Sequence, residues 1–375
     1  MAPTIPDLMR AMQQTRSTTP STPYTQTTVA VPAVSLQDLL VKVAAASYCH
    51  TDGMVAAGVF ATALPHTASH EGAGTVVRVG PHAAAARFAV GDRVMCGIPL
   101  HPCGACADCA GGEGGEGGPQ YCARVDGHVG VHLDGCLAEY VRVDARFSTR
   151  LPDGLSLTEA APLACAGRTA WRGVRVAGVP AGAWLLILGS GGGLGHLAVQ
   201  FAKALGARVI GVDARDAGLE LSREVGADVV LDAREGTAAV VGEVRRVTGG
   251  GVHAAIVLSD APGATALAAA ATRMHGTVVQ IAQPETVEVP FQDIVFRDVR
   301  IRGSLLCSPE ESRDMVDFMA GLKERGRGIR VVTTVFEGME MLGEVLLRVK
   351  MGEVRGKAVI VVDRKQVEED ERRGG

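Results

Sequence analysis

Ala183-Trp184-Leu185-Leu186-Ile187-Leu188-Gly189-Ser190-Gly191-Gly192-Gly193-Leu194-Gly195 is the stretch that decides the fold. Its first six residues are apolar without a break, as a strand buried on both faces requires. The glycines that follow let the backbone turn tightly and come close to an anionic ligand. Leu197, Ala198, Phe201, Ala202 and Leu205 then recur at helical spacing, and Gly206 suits a helix end. Arg208-Val209-Ile210-Gly211-Val212 reads as a second strand, closed by Asp213. Strand, glycine turn, helix, strand and terminal acid make a dinucleotide-binding βαβ unit, with the pyrophosphate at the helix N-terminus. Asp213, eighteen residues past Gly195, can accept from both ribose hydroxyls and would repel a 2′-phosphate. That favours NAD over NADP, although Arg215 offers a nearby counter-charge.

The alternation continues downstream. Strands are predicted at 228–231, 254–258, 277–281 and 299–303, with helices between them, one at 265–274. This is the pattern of a doubly wound parallel sheet. Helices follow at 309–325 and 339–349, then a strand at 358–362 and a charged, frayed tail from 368 to 375. Upstream, short strands at 39–45 and 72–80, and another entered by a turn at 90–94, are broken by glycines. They suggest a β-rich first half, a distorted barrel. Residues 1–28 read as irregular or loosely paired.

Bulk properties exclude several classes. A net charge of −4 with 21% charged residues gives no reason to expect nucleic acid or an anionic membrane as partner. No apolar run reaches the roughly eighteen residues of a membrane span. The 48 glycines and 4% aromatics suit an α/β chain rich in tight turns. At 375 residues it has room for two domains. Residues 15–28 are rich in Ser, Thr and Pro and lack acids, a composition shared with transit peptides, but no secretory signal is visible.

Four of the nine cysteines crowd together as Cys103-x2-Cys106-x2-Cys109-x12-Cys122. Four thiolates in one loop can enclose zinc with no open position, the pattern of a structural site; two disulfides or free thiols are the alternative. The glycine-rich gap at 111–118 need not prevent closure, because loop-closure cost rises slowly with length. A second constellation reads Cys49-His50-Thr51-Asp52, then His70-Glu71. Thiol and imidazole could share one zinc if the fold joins them, and Cys165 is the best third ligand.

These motifs resemble the zinc-containing alcohol dehydrogenases of the medium-chain dehydrogenase/reductase family, closest to the yeast and fungal type. The resemblance runs from about 39 to 363. It rests on Cys49-His50-Thr51-Asp52, on His70-Glu71-x2-Gly74-x5-Gly80, on the four-cysteine lobe and on Cys165-Ala166-Gly167. Gly193-Leu194-Gly195-x-Leu197-Ala198-Val199-Gln200 and Gly352-Glu353-Val354-Arg355-Gly356-Lys357 complete it. It implies a GroES-like catalytic domain at 1–172 and 304–375, and a Rossmann domain at 173–303. It further implies two zinc ions: a catalytic one on Cys49, His70 and Cys165, with Glu71 as an occasional ligand, and a structural one on Cys103, Cys106, Cys109 and Cys122. Asp52 would hold His70. Thr51 would bond the substrate oxygen and start a proton relay. His50 and Lys357 would contact the cofactor pyrophosphate, cradled by Gly189, Gly191, Gly192, Gly193, Leu194 and Gly195. The reaction implied is reversible hydride transfer between an alcohol and NAD, giving an aldehyde or ketone. A homo-oligomer, dimer or tetramer, is implied too. Few residues precede the family's usual start, which leaves little room for a leader, so a cytoplasmic protein is expected.

Departures from the family pattern matter as well. Ser69 stands where Gly is usual, and the last gap of the four-cysteine lobe is twelve residues instead of seven. Met54 replaces a relay His, so the outer proton acceptor would be water or another group. Ile98 falls where short-alcohol enzymes place Trp, which suggests a substrate bulkier than ethanol. A polyol or secondary-alcohol dehydrogenase is the alternative within the superfamily, and a non-catalytic zinc and nucleotide binder the alternative outside it. Cys96, Cys136 and Cys307 read as small core residues.

Overall fold

The structure is a computed structural model and describes residues 4–15, 24–85, 88–112 and 117–374. It divides into two compact units, Met1–Cys165 with Cys307–Gly328 and Thr333–Gly375, and Ala166–Leu306 with Ile329–Val332.

The first unit begins with β1 (Leu8–Gln14), β2 (Tyr24–Ala30), β3 (Asp38–Tyr48), α1 (His50–Ala56), β4 (His66–Thr67), β5 (Glu71–Val79) and α2 (Pro81–Ala85). It continues through β6 (Arg93–Met95), β7 (Pro99–Leu100), β8 (Gly127–His128), β9 (Tyr140–Asp144), β10 (Thr149–Arg150) and α3 (Leu157–Pro162). The second unit holds α4 (Arg168–Ala177), β11 (Trp184–Leu188), α5 (Gly195–Ala204), β12 (Arg208–Asp213), α6 (Asp216–Glu224), β13 (Val229–Asp232) and α7 (Thr237–Thr248). After these come β14 (Val252–Val257), α8 (Ala264–Ala271), β15 (Thr272–Gln280), α9 (Phe291–Val295) and β16 (Arg300–Gly303). The chain then returns to the first unit as α10 (Pro309–Glu324), β17 (Thr333–Glu337), α11 (Leu342–Met351), β18 (Lys357–Val361) and α12 (Arg364–Arg372).

The first unit is built on β3. All but two of its residues are buried, and it pairs with β5, β9 and β18. The sheet runs β10-β6-β5-β3-β18-β17, over a core that includes Leu39, Val41, Val43, Val76 and Ile360. In the second unit six strands run β13-β12-β11-β14-β15-β16, every pair parallel. The order reverses beside β11, so the glycine turn that follows β11 sits at the switch point, where such sheets bind ligands.

Three expectations are corrected. Within 1–28, β1 and β2 form a regular antiparallel pair from Leu8↔Ala30 to Gln14↔Tyr24; residues 1–3 and 16–23 lie outside the described residues. Met9, Ala11, Met12 and Tyr24 are buried, so an apolar face holds the pair, while its polar face and flanking Ser/Thr/Pro concealed it. The helix expected at 265–274 ends at Ala271, because β-branched Thr272 enters β15 opposite Val252. The tail is not frayed: α12 is held by Asp370, whose carboxylate pairs with Arg93 Nε at 2.5 Å and accepts the Leu157 N–H at 2.8 Å.

Candidate active site

Cys49 caps α1, and its neighbourhood follows from a three-residue spacing. Asp52, at the third helical position, accepts the Cys49 N–H on Oδ2 at 2.8 Å, while the Cys49 thiol accepts from the Asp52 N–H. The other oxygen, Oδ1, lies 2.9 Å from His70 Nδ1. One carboxylate therefore fixes both a thiol and an imidazole. Cys165 comes from a π-helical turn at Leu163–Gly167, between α3 and α4. Such a turn places an extra residue on one face of the helix, a device common at functional sites.

The ligand atoms of Cys49, His70, Glu71 and Cys165 all lie within 4.8 Å of one another. His70 Nε2 is buried and, among the described residues, has no hydrogen-bond partner. A buried nitrogen left unpaired, facing two thiols and a carboxylate, is the donor set zinc takes. Electrostatics agree. The hydrogen bond from Cys165, helped by the Lys357 ammonium, holds the Cys49 thiol well below its ordinary value, and the same bond pushes Cys165 well above it. Burial opposes an imidazolium at His70, but Asp52 outweighs it and holds His70 well above the usual range, making its ring a stronger donor.

Lys357 was expected at the pyrophosphate. Its ammonium lies 2.7 Å from Glu71 Oε2 and donates to the Tyr48 carbonyl at 2.9 Å, with the side chain 4% exposed. Burial pushes the Glu71 carboxyl up to about 7 even so. Thr51 is half-buried and His50 exposed, both in the first turn of α1. Ile98 is buried beside β7 and Met54 half-buried on α1.

Ser69 has φ 71°, in the left-handed region where Gly costs nothing. Its hydroxyl offsets the strain. Oγ lies 2.8 Å from the Ser47 carbonyl and 3.0 Å from that of Glu71, and accepts the Glu71 N–H at 3.2 Å. The substitution is thus tied into the strand that carries Glu71.

Cys103, Cys106, Cys109 and Cys122 also converge within 4.8 Å. Backbone N–H groups point at the sulfurs, from Ala105 to Cys103 at 3.5 Å and from Cys109 to Cys106 at 3.4 Å. The Ala105 N–H lowers the Cys103 thiol to about 6, while burial pushes Cys109 up to about 12. None of the nine cysteines is in a disulfide, so the disulfide alternative fails. The long gap closes through turns at Gly112 and Gly117 and a short helix at Pro119–Tyr121; residues 113–116 lie outside the described residues.

In the second unit the glycine turn is sterically obligatory. A Cβ on Gly191 would stand 1.9 Å from the Gly218 carbonyl, and one on Gly195 2.0 Å from that of Gly189. Gly192, Gly193 and Leu194 complete the turn into α5. Asp213 accepts N–H groups from Gly191 at 3.0 Å, Ala214 at 2.9 Å and Arg215 at 3.1 Å. It therefore organises the turn as well as marking the strand end. Sequence reading missed a clasp here. His196 Nδ1 donates to the Gly192 carbonyl and its Nε2 accepts the Val332 N–H, while Gln200 bonds both the N–H and the carbonyl of Arg330. Gln200 in the helix motif was the only available signal.

Two sulfur-rich clusters and a glycine turn at a sheet's switch point define the class: a zinc-binding, nucleotide-dependent oxidoreductase. Residues 35–153 match the alcohol dehydrogenase GroES-like domain, and residues 193–321 match the zinc-binding dehydrogenases. An alcohol dehydrogenase of Geobacillus stearothermophilus is 35% identical over 337 residues, 88% of this chain and 94% of its own. The crystal structure of the alcohol dehydrogenase from the archaeon Aeropyrum pernix aligns with a TM-score of 0.81 at 29% identity, over 94% of this chain and 99% of that one. A zinc-binding dehydrogenase of Sinorhizobium meliloti 1021 bound to NADP aligns at 0.77 and 27% identity, over 94% and 99%. The chain belongs to the zinc-containing alcohol dehydrogenases of the medium-chain dehydrogenase/reductase family.

Proposed function

We propose that the chain interconverts an alcohol bulkier than ethanol with its aldehyde or ketone, using NAD and two zinc ions. Cys49, His70 and Cys165 hold the catalytic ion, with Glu71 as an intermittent donor, and the four-cysteine lobe holds the structural one. Bound there, zinc would make an alcohol easier to deprotonate and nicotinamide would supply the hydride acceptor. Asp52 keeps His70 Nδ1 protonated, so that Nε2 carries the free lone pair. Thr51 bonds the substrate oxygen and passes its proton outward past Met54 to water. The glycine turn cradles the pyrophosphate, and His50 contacts it. Lys357 serves first as counter-ion to Glu71. Asp213 retains lone pairs for the ribose hydroxyls beyond its backbone bonds, which supports NAD; a structural neighbour with NADP keeps the comparison necessary. The buried aliphatic Ile98 supports the larger substrate.

A homo-oligomer is part of this reading. β16 is an end strand of its sheet, and Phe291, Ile294, Val295, Phe296 and Ile301 are exposed. Nine cysteines without a disulfide among them fit the reducing cytoplasm. Among the described residues no helix is long and apolar enough to cross a membrane.

The convergence of Cys49, His70, Glu71 and Cys165 on one point carries the proposal. Metal analysis together with an alcohol panel, read by absorbance of the reduced cofactor with NAD and NADP in parallel, tests it. Turnover of a larger primary alcohol should exceed that of ethanol. A zinc-loaded protein that reduces neither cofactor with any alcohol would end the proposal.

A further inference from the structure

The first unit contains a cavity of about 630 Å³ lined by none of Cys49, His70, Glu71 or Cys165. Small-molecule pockets span about 300–1,000 Å³, so its size is that of a ligand site. Its walls come from separate parts of the chain. The four-cysteine lobe contributes Gly104 and Cys109, the segment around β10 contributes Phe147 and Arg150, and the first turns of α10 contribute Arg313 and Val316.

The lining has two chemical halves. Phe88, Phe147 and Val316 are apolar. Arg146, Arg150 and Arg313 bring three guanidinium groups against one lining carboxylate, Asp317. Two of these arginines are anchored by carboxylates outside the lining. Arg146 spends Nε and Nη2 on buried Asp144. Its Nη1 stands 4.0 Å from where a Cβ on Gly104 would be, and makes no hydrogen bond among the described residues. Arg150 is held by Asp92 at 2.6 Å, and its guanidinium lies 5.7 Å from the centroid of the Phe88 ring. Arg313 is exposed and has no ion-pair partner among the described residues.

Anchored guanidinium groups lose little freedom when they bind, and their planar fork matches a carboxylate. Aromatic and aliphatic walls beside them suit an apolar body. We propose that this cavity binds an amphipathic carboxylate, its head on Arg313 and Nη1 of Arg146 and its alkyl or aryl body against Phe88, Phe147 and Val316. The occupant touches both the four-cysteine lobe and α10, so it ties the two together and raises the thermal midpoint of the protein.

Titration calorimetry with octanoate on the full zinc-loaded chain, NADH present, tests this. One site is expected. Arg313→Glu, an exposed position that leaves folding and alcohol turnover intact, should weaken octanoate about tenfold, the loss of one charge-assisted contact. Val316→Trp, checked for folding by circular dichroism, should fill the cavity and abolish binding. 1-Octanol, which has the body without the charge, should give no signal that Arg313→Glu alters. The idea is overturned by no binding of octanoate, by equal binding to the wild type and Arg313→Glu, or by octanoate that merely competes with the alcohol substrate. The calorimetric outcomes do not depend on whether the proposed reaction occurs, so a failure of the cavity and a failure of the reaction are told apart.

Discussion

Lys357 Nζ and Glu71 Oε2 lie 2.7 Å apart, with side chains 4% and 0% exposed. This pair links β18 to β5 across the strand that both flank, at the edge of the candidate metal cluster. Removing one member of a buried pair strands the other charge. Lys357→Met should therefore cost about 3–5 kcal/mol. Adding Glu71→Gln to it should recover part of that loss. Denaturant unfolding of the four proteins, at matched metal content, gives the coupling; strictly additive costs would show that the pair is not energetically linked.

Asp52 makes a separate prediction. Its two oxygens serve His70 and the Cys49 N–H. Asp52→Asn keeps the shape and removes the charge behind the imidazole. Zinc affinity should fall about 10–100-fold, the usual effect of losing such a partner. Competition with a chromophoric chelator reads it directly, and unchanged affinity would mean that His70 needs no support.

Ser69 separates strain from hydrogen bonding. Ser69→Ala keeps the positive φ and deletes the buried hydroxyl contacts, so it should destabilise by about 1–3 kcal/mol. Ser69→Gly loses the same contacts but relieves about 1 kcal/mol of strain, and should be the milder change. Thermal melts of both variants give the order, and the reverse order would refute the strain argument.

Asp363 predicts a pH dependence. Burial works against its charge, but Lys42 at 2.5 Å and the Gln366 N–H it caps outweigh this, so its carboxyl titrates below the ordinary value. A depressed folded value stabilises the fold fully above the unfolded carboxylate range of about 3.9, and the gain is lost as pH falls through the lower folded value. Asp363→Asn keeps a side-chain oxygen for the Gln366 N–H and removes only the charge, so it should cost about 0.5–1 kcal/mol at neutral pH, the worth of a partly exposed ion pair. Urea midpoints should show that gap shrinking below about pH 4. A gap that persists in acid would assign the effect to something other than charge.

How much was legible depended on how local the cause was. The parallel sheet could be read because Trp184–Leu188 is a run of five buried apolar residues and the glycine turn sits directly behind it. The capping box of Cys49 and Asp52 was not read, although both partners lie within one helical turn, because a thiol is not among the usual N-cap side chains. The pairing of β1 with β2 was hidden, since its apolar face is short and its turn residues are generic. The order of α12 was hidden because it depends on Asp370 meeting Arg93, far away in the chain. The pairing of Lys357 with Glu71 was hidden because nothing near Lys357 in the chain points to Glu71.

The sequence by itself determined the elements, the two sulfur-rich motifs and the nucleotide turn, because each is written in spacings of a few residues that backbone geometry converts directly into structure. The tertiary structure brought Cys165 to Cys49 and His70, as the resemblance implied, and it alone decided the meetings of Lys357 with Glu71 and of Arg313 with Arg146 around the cavity beside the four-cysteine lobe. Those meetings are set by β-sheet order and helix packing, where burial of a charge or thiol gains or loses free energy according to neighbours that chain separation does not reveal.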